Sequence, residues 1–388
     1  MGVCKTMCDR RYVGDLETFL SRLEHYVNMD TPSGGKEALD IQGQQLREDF
    51  LAAGAVVTTH ERPGGNLLEC RIGTGPRQIL LLGHMDTVFP VGTVAQHPYT
   101  RNGDILQGPG VLDMKSGVLM ILEIFRHFAP KMPQDWSLVA LLNCDEEIGS
   151  LESCQRIVEL SRESEACLCM EPSKPAYCTV ARKGLITFTI TTSGVAAHSG
   201  VNYHLGHSAI QALCHIIGNL YTLRDDEKGV SINVGGISGG TGKGNVVAAD
   251  ASLIAEVRFY DPELAEPLLE AIHRFGTDTG NPRVSSTLDI RSQRPPMQQT
   301  DASRKLYEKA RACAEANGLV MEPRTHGGGS DGSFAASAGI PVIDGMGAEG
   351  EFSHTMEEYV KADTIIQRLQ TCIDLICALI NEGEYQYE

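Results

Sequence analysis

The chain has 388 residues, 42% of them hydrophobic, which is enough material for two domains with ordinary cores. Its 33 Lys and Arg face 50 Asp and Glu, and the resulting formal net charge of −17 repels phosphate backbones and anionic lipid heads, arguing against nucleic-acid or membrane partners. No run of eighteen apolar residues occurs and the 12 cysteines form no CxxC pairs, so neither a spanning helix nor a disulfide miniprotein is expected.

The N-terminus, MGVCKTMCDRRYVGDLETFL, has no apolar segment of signal-peptide length. Its first six residues fit a myristoylation pattern formally, at a length that chance supplies. After Asp15, a candidate N-cap, Leu16, Phe19, Leu20, Leu23 and Val27 recur at helical spacing. A second helix is expected over 37–53. Short continuous apolar runs then follow, QILLLG (78–83), WSLVALL (136–142) and ACLCM (166–170), each suited to a strand buried on both faces. Helical stretches near 114–128 and 151–163 separate them. This alternation predicts an α/β layered domain with a mostly parallel sheet. Cys144, Cys167 and Cys169 lie inside such runs and read as buried thiols, a usage that suits a reducing, cytoplasmic compartment.

From residue 184 the texture changes. LITFTITTSG reads as a strand, LGHSAIQALCHIIGNLYTL as a helix, and GVSINVGGIS and NVVAADASLIAEVRFYD as two more strands. A helix capped by Asp261 and a strand near 284–292 complete a β-α-β-β-α-β order, that of a ferredoxin-like α+β sandwich. After SQRPP the first texture resumes, with a helix at 301–317, a strand near 319–325, IPVID and a last helix at 361–381. The predicted organisation is a discontinuous domain (1–183 and 294–388) with a small domain inserted at 184–293.

Polar groups gather where the predicted strands end, the edge at which open α/β sheets bind ligands. LLLGHMDTV gives His84 and Asp86, GPGVLDMKSG gives Asp113, LLNCDEEIGS gives Asp145, Glu146 and Glu147, CLCMEPS gives Glu171 and EFSHTMEEYV gives His354. Each alone is compatible with a surface turn or a helix cap. Together, two His and several carboxylates on one edge form a ligand set for paired divalent ions, whose charge relieves the repulsion among the acids.

With these motifs in order from about residue 15 to 381, the chain resembles the dizinc peptidases that include glutamate carboxypeptidase, acetylornithine deacetylase, succinyl-diaminopimelate desuccinylase and aminoacylase, with its nearest resemblance to the bacterial glutamate carboxypeptidase branch. The resemblance implies that Asp113 bridges two ions. His84 and Glu171 would complete one position, Glu147 and His354 the other, and Asp86 would orient His84. The ions would be zinc, with cobalt or manganese as substitutes. Glu146 would be the general base and proton carrier to the leaving amine, and the peptide bond after Asp113 would be cis. His198 in GVAAHSG would stabilise the oxyanion, lent by the partner subunit of a homodimer formed through the inserted domain. Asn245 would lie near the substrate, and Arg258 and Arg294 would receive its carboxylates. The turn THGGGSDGSF, with Gly328, Gly329 and Ser330, offers backbone N–H groups for a carboxylate.

Arg182-Lys183-Gly184 resembles the deacylases more, and Tyr203-His204 stands where many members have Pro-Glu. The implied activity is a carboxypeptidase releasing a C-terminal, glutamate-like residue from a peptide or N-acyl amino acid. An N-acyl-amino-acid deacylase or a dipeptidase uses the same site. A non-catalytic metal-binding scaffold is disfavoured because Glu146 is present.

Overall fold

The computed structural model describes residues 11–12 and 14–382; the myristoylation pattern lies outside them. Two compact units emerge. One comprises the chain up to Ala181, Gln299–His326 and the chain from Ser330 on; the other comprises Arg182–Gln298 and Gly327–Gly329. Each has its own apolar core.

The first unit is built on a six-stranded sheet in the order Val56–His60, Leu67–Gly73, Trp136–Asn143, Arg77–His84, Ala166–Cys169 and Val342–Ile343. The last four strands run parallel, and the first two join as an antiparallel extension. This is the expected mixed α/β fold with a mostly parallel central sheet. Arg77–His84 and Trp136–Asn143 are buried along almost their whole length, which is why they read as unbroken apolar runs.

Helix Ser116–Phe128 buries nearly every residue, and helices Asp301–Ala316 and Ala362–Glu382 add Leu306, Ala310, Ile365, Leu369 and Ile376 to the same core. Truncating such a Leu or Ile to Ala costs about 2–5 kcal/mol. At Gly117 the approach is backbone to backbone: a Cβ there would collide with the carbonyl oxygen of Met170, so the helix start lies directly against the end of the strand that precedes Glu171.

Several elements escaped the sequence reading, among them strand Tyr177–Arg182 and helix Gly332–Ser337, and two cases have a visible cause. The hairpin Val56–His60/Leu67–Gly73 is interrupted by charge, with Glu69 paired to His60 and Arg156. A small antiparallel sheet of Thr100–Asn102, Ile105–Gln107, Tyr359–Lys361 and Gly350–Glu351 has strands of only two or three residues, too short to show a period.

The second unit has the chain order strand Gly184–Ser193, helix Ala209–Tyr221, strands Ser231–Gly239 and Asp250–Phe259, helix Ala265–Thr277 and strand Ser285–Arg294. Its sheet is fully antiparallel, with Gly184–Ser193 and Asp250–Phe259 in the centre. Ile186, Phe188 and Ile190 alternate inward with Leu253, Ala255, Val257 and Phe259, and both helices bury Leu213, Ile216, Leu220, Leu268 and Ile272 in this core. Among the described residues, no helix is long and apolar enough to cross a membrane.

Candidate active site

At the C-terminal edge of the parallel strands the first unit collects its acids and imidazoles. His84 is the last residue of its strand, Asp145-Glu146-Glu147 follow Trp136–Asn143, and Glu171 follows Ala166–Cys169. Asp113 reaches the same place from the turn before helix Ser116–Phe128, and His354 from the loop between Gly350–Glu351 and Tyr359–Lys361. The Asp113–Met114 peptide bond is cis.

Asp113 stands in the middle, and its two oxygens face different partners. Oδ1 is 3.1 Å from His84 Nε2, which is itself 3.7 Å from Glu171 Oε1. Oδ2 is 3.3 Å from His354 Nε2, which is 3.1 Å from Glu147 Oε2. Ligand atoms around a tetrahedral ion at about 2.0–2.2 Å stand about 3.3–3.6 Å apart, so these spacings suit one ion on each side of Asp113. Glu147 Oε1 is buried with no hydrogen-bond partner among the described residues, as a carboxylate oxygen aimed at a cation would be. Nitrogen and carboxylate donors in this mixture fit zinc and its borderline neighbours. Single oxygens of Glu146 and Glu171 and one nitrogen of His84 also lie within 4.8 Å of one another, so Glu146 borders the cluster.

Asp86 is fully buried and holds the acidic turn. Its Oδ1 accepts the N–H of Glu146 at 3.2 Å, and its Oδ2 accepts the N–H of Glu147 at 3.2 Å and the hydroxyl of Ser33 at 2.7 Å. The expected side-chain contact to His84 is long, 3.4 Å from Nδ1 to Oδ1. The nearer partner of that nitrogen is the Asp86 backbone oxygen at 2.9 Å. Asp86 therefore fixes the imidazole through its main chain and the Glu146-Glu147 turn through its side chain. Ser33 gave no signal in the sequence. Neither did Glu358, whose Oε1 accepts the N–H groups of Leu112 at 2.7 Å and Asp113 at 3.0 Å.

The cluster's electrostatics are those of like charges crowded in a largely buried site. Burial lifts the Glu147 carboxyl to about 7 and Glu171 well above the usual carboxylate range, with the nearby Asp113 charge adding to both. Burial pushes Asp113 up as well, but the hydrogen bonds from His354 and His84 outweigh it and hold Asp113 below the usual range. Hydrogen bonds to Asp113 and Glu147 raise His354 to about 11. His84 is raised despite its burial, through Asp113 and Asp86. Burial also lifts Glu358, to about 8.

The second unit presents a different set. His198 and Asn245 are exposed and share one corner, where His198 bridges Val246 and the Ser199 N–H donates to Asn245 O at 3.0 Å. Arg258 is already paired: Glu256 takes its Nε at 2.7 Å and its Nη2 at 3.1 Å, while its Nη1 donates to Gly327 O. Arg182 donates to the carbonyl oxygens of Gly328 and Gly329, and buried Arg294 packs so close to Gly329 that a side chain there would strike it. Arginines thus grip this glycine turn by its carbonyl groups. In the first unit, Ser330 is buried with its hydroxyl on Asp344, an interior partner where the sequence reading had placed a substrate contact.

Comparison with known proteins agrees with this architecture. The sequence is similar to carboxypeptidase G2 of Pseudomonas sp. (strain RS-16), 29% identical over 93% of this chain and 89% of that protein. It is also similar to succinyl-diaminopimelate desuccinylase of Pseudoalteromonas atlantica, 28% identical over 84% of this chain and 91% of that one. In three dimensions it resembles the YXEP protein of Bacillus subtilis, described as a dinuclear metal binding peptidase, with a TM-score of 0.67 at 14% identity over 94% of this chain and 99% of that one. The sequence profile of peptidase family M20/M25/M40 matches residues 80–382, so the chain belongs to that family and is a metallo-exopeptidase-type hydrolase.

Proposed function

We propose that the chain is a two-metal carboxypeptidase that releases a C-terminal, glutamate-like residue from a peptide or N-acyl amino acid. The observation that carries the two-metal reading is Asp113, whose two oxygens each face a separate imidazole–carboxylate pair. In this reading His84, Asp113 and Glu171 hold one ion, and Asp113, Glu147 and His354 hold the other. Zinc fits the donor set, with cobalt or manganese as substitutes. The ions, when bound, acidify a water and polarise the scissile carbonyl.

The protein's own groups do the rest. Glu146, beside the cluster and fixed through its N–H to Asp86, takes the proton of the attacking water and returns it to the leaving amine nitrogen. His198 donates to the oxyanion that forms as the carbonyl is attacked. Asn245, Arg258, Arg294 and the turn at Gly328 and Gly329 bind the substrate's polar ends. The exposed edge strand Ser231–Gly239, with Ile237 outward, and the neighbouring exposed Ile210 and Tyr221 offer a self-complementary face, so we place a homodimer contact in the second unit. All ten described cysteines are free thiols, which suits a cytoplasmic location.

The similarity to carboxypeptidase G2 supports the carboxypeptidase reading. A second reading, N-acyl-amino-acid deacylase, is favoured by the similarity to a desuccinylase and by Arg182-Lys183-Gly184. Hydrolysis of N-acyl glutamates, N-succinyl and N-acetyl diamino acids and dipeptides by the zinc-loaded protein separates them. Preference for C-terminal Glu over Ala and Leu at equal acyl group supports the first. Preference set by the acyl group, whatever the C-terminal residue, replaces it with the second.

A further inference from the structure

We infer that Glu358 is a positioning residue chiefly for the ion position formed by Asp113, Glu147 and His354, which it supports through both Asp113 and the His354 loop, whereas the other position shares with it only Asp113; the inference rests on the two-metal reading above. The two positions are anchored in different ways. His84 ends a strand hydrogen-bonded to neighbours on both sides, and Glu171 follows the next strand with its carbonyl oxygen taken by the Gly347 N–H at 2.9 Å. Both are fixed by the sheet.

His354 has no such support. Its side chain is 53% exposed, and its backbone lies in the left-handed region at φ 67°, as does that of Phe352 at φ 66°. Non-glycine residues hold that conformation only where the surroundings impose it. The loop folds on itself: Thr355 Oγ1 donates to Phe352 O, the Glu357 N–H donates to Thr355 Oγ1, and the Glu358 N–H donates to Thr355 O. A loop closed in this way moves as a unit, so the direction of His354 depends on where its end is fastened.

The loop's base is closed by the pairing of Gly350–Glu351 with Tyr359–Lys361, and Glu358, only 2% exposed, fastens it to the Asp113 segment. One oxygen of its side chain receives two N–H groups, those of Leu112 and Asp113, 246 and 245 residues away along the chain. The accepting oxygen serves both N–H groups at once, so one side chain satisfies two main-chain donors. The same side chain thus joins the backbone of the His354 loop to the backbone of Asp113, and sets the reach from His354 Nε2 to Asp113 Oδ2. The pairing of Tyr359–Lys361 with Ile105–Gln107 brings the two segments side by side, and Glu358 sets their final spacing. Supporting contacts behind metal ligands characteristically tune affinity by about 10–100-fold.

The test is a metal titration of the full-length chain, with zinc by calorimetry and with cobalt by visible absorption. Wild type should bind two ions. Glu358→Ala should keep one ion within about threefold of the wild-type affinity and weaken the other at least tenfold. Glu358→Gln, which keeps the accepting oxygen, should bind both ions within about threefold, whereas Glu358→Asp, one methylene too short to reach both N–H groups, should behave like Ala. On a His354→Ala background, Glu358→Ala should change the remaining ion by less than threefold, because its effect passes through the position already lost.

Equal weakening of both ions in Glu358→Ala and Glu358→Asp, or of neither, overturns the inference and leaves the two-metal reading standing. If Glu358→Ala does not fold, the Gln and Asp pair decides by the same criterion. Wild type binding fewer than two ions overturns the reading beneath it, and this inference with it.

Discussion

The edge of the parallel sheet and the corner of the second unit that holds His198 and Asn245 are both candidate parts of one chemistry, yet they are built on opposite principles. At the sheet edge most charged groups are buried and hold one another: His84 is 1% exposed and Asp86 0%, and Asp86 braces both the imidazole and the Glu146-Glu147 turn, with His354 the exposed exception. In the second unit, His198 and Asn245 are exposed, and Arg258 rests in an ion pair on its own strand. Buried polar groups must be satisfied, so their positions are over-determined; exposed groups carry no such constraint. In the proposed reaction the general base Glu146 belongs to the over-determined set, and His198, Asn245 and the half-buried Arg258 belong to the other.

The sharpest way to break that comparison is Glu146→Gln. It removes the proton acceptor and leaves the ligand atoms in place. Turnover should fall about 10²–10⁴-fold or more with metal content unchanged. Near-normal turnover would remove Glu146 from the base role.

Asp86→Ala tests whether the over-determined set depends on its supports. The substitution strips the acceptor from two N–H groups and from Ser33 without touching a ligand atom. Metal affinity or kcat should drop by about 10–100-fold. Because the imidazole leans on the Asp86 backbone, Asp86→Asn should retain more of the His84 contact than of the grip on the Glu146-Glu147 turn. If Asp86→Ala matches wild type in both measurements, the turn is held by something else.

The second unit invites a mixing experiment. His198→Ala and Glu146→Gln chains, each inactive, are combined under subunit exchange. In a two-fold dimer that lends His198 across its interface, each heterodimer has one site with both groups, and random mixing should restore about a quarter of wild-type activity. Activity that stays at the level of the parents, with exchange verified by mass spectrometry, places His198 in its own chain's site or outside catalysis.

How the cluster could be read in a linear sequence follows from the same contrast. His84, Glu146, Glu147 and Glu171 directly follow apolar runs that only a buried strand explains, so the end of the run marks the sheet edge. Asp113 and His354 were legible chiefly through the resemblance of their motifs, since they lie in a turn and a loop flanked by strands too short to show a period. Glu358 was silent because it follows Glu357 in a turn, where two acids in a row look like solvated surface; only the fold shows that one is buried on two N–H groups. Ser33 was silent for a similar reason, 53 residues from Asp86 in a polar stretch. The Arg258–Glu256 pair could have been anticipated, since residues two apart on a strand share a face.

The charge state of the cluster gives a smaller effect. His354 is held protonated up to about 11 by Asp113 and Glu147, so an ion that takes its Nε2 at pH 7 must displace that proton. Zinc uptake near neutral pH should release protons into weak buffer, and affinity should fall as pH is lowered. Calorimetry in buffers of different ionisation enthalpy measures the count. A heat independent of buffer would show that the imidazole is already neutral before metal arrives.

The smallest expected effect sharpens the comparison from the other side. Arg258 cannot receive a substrate carboxylate with its fork while Glu256 occupies Nε and Nη2. The two side chains are 30% and 32% exposed, so their attraction is that of a partly solvated pair, about 0.2–1 kcal/mol. A substrate carboxylate can displace Glu256 only against that attraction and against the repulsion of a second anion. Replacing Glu256 with Gln removes both terms and leaves the guanidinium in place. KM for substrates with a free C-terminal carboxylate should then fall by about 1.4–5-fold, the same energy expressed as an affinity ratio, with kcat little changed. Substrates carrying a C-terminal amide should show no change, because they bring no anion to compete. If Glu256→Gln leaves KM for the free carboxylate unaltered, or lowers it equally for the amide, Arg258 serves only to hold Gly327 and its strand, and the carboxylate must be received elsewhere.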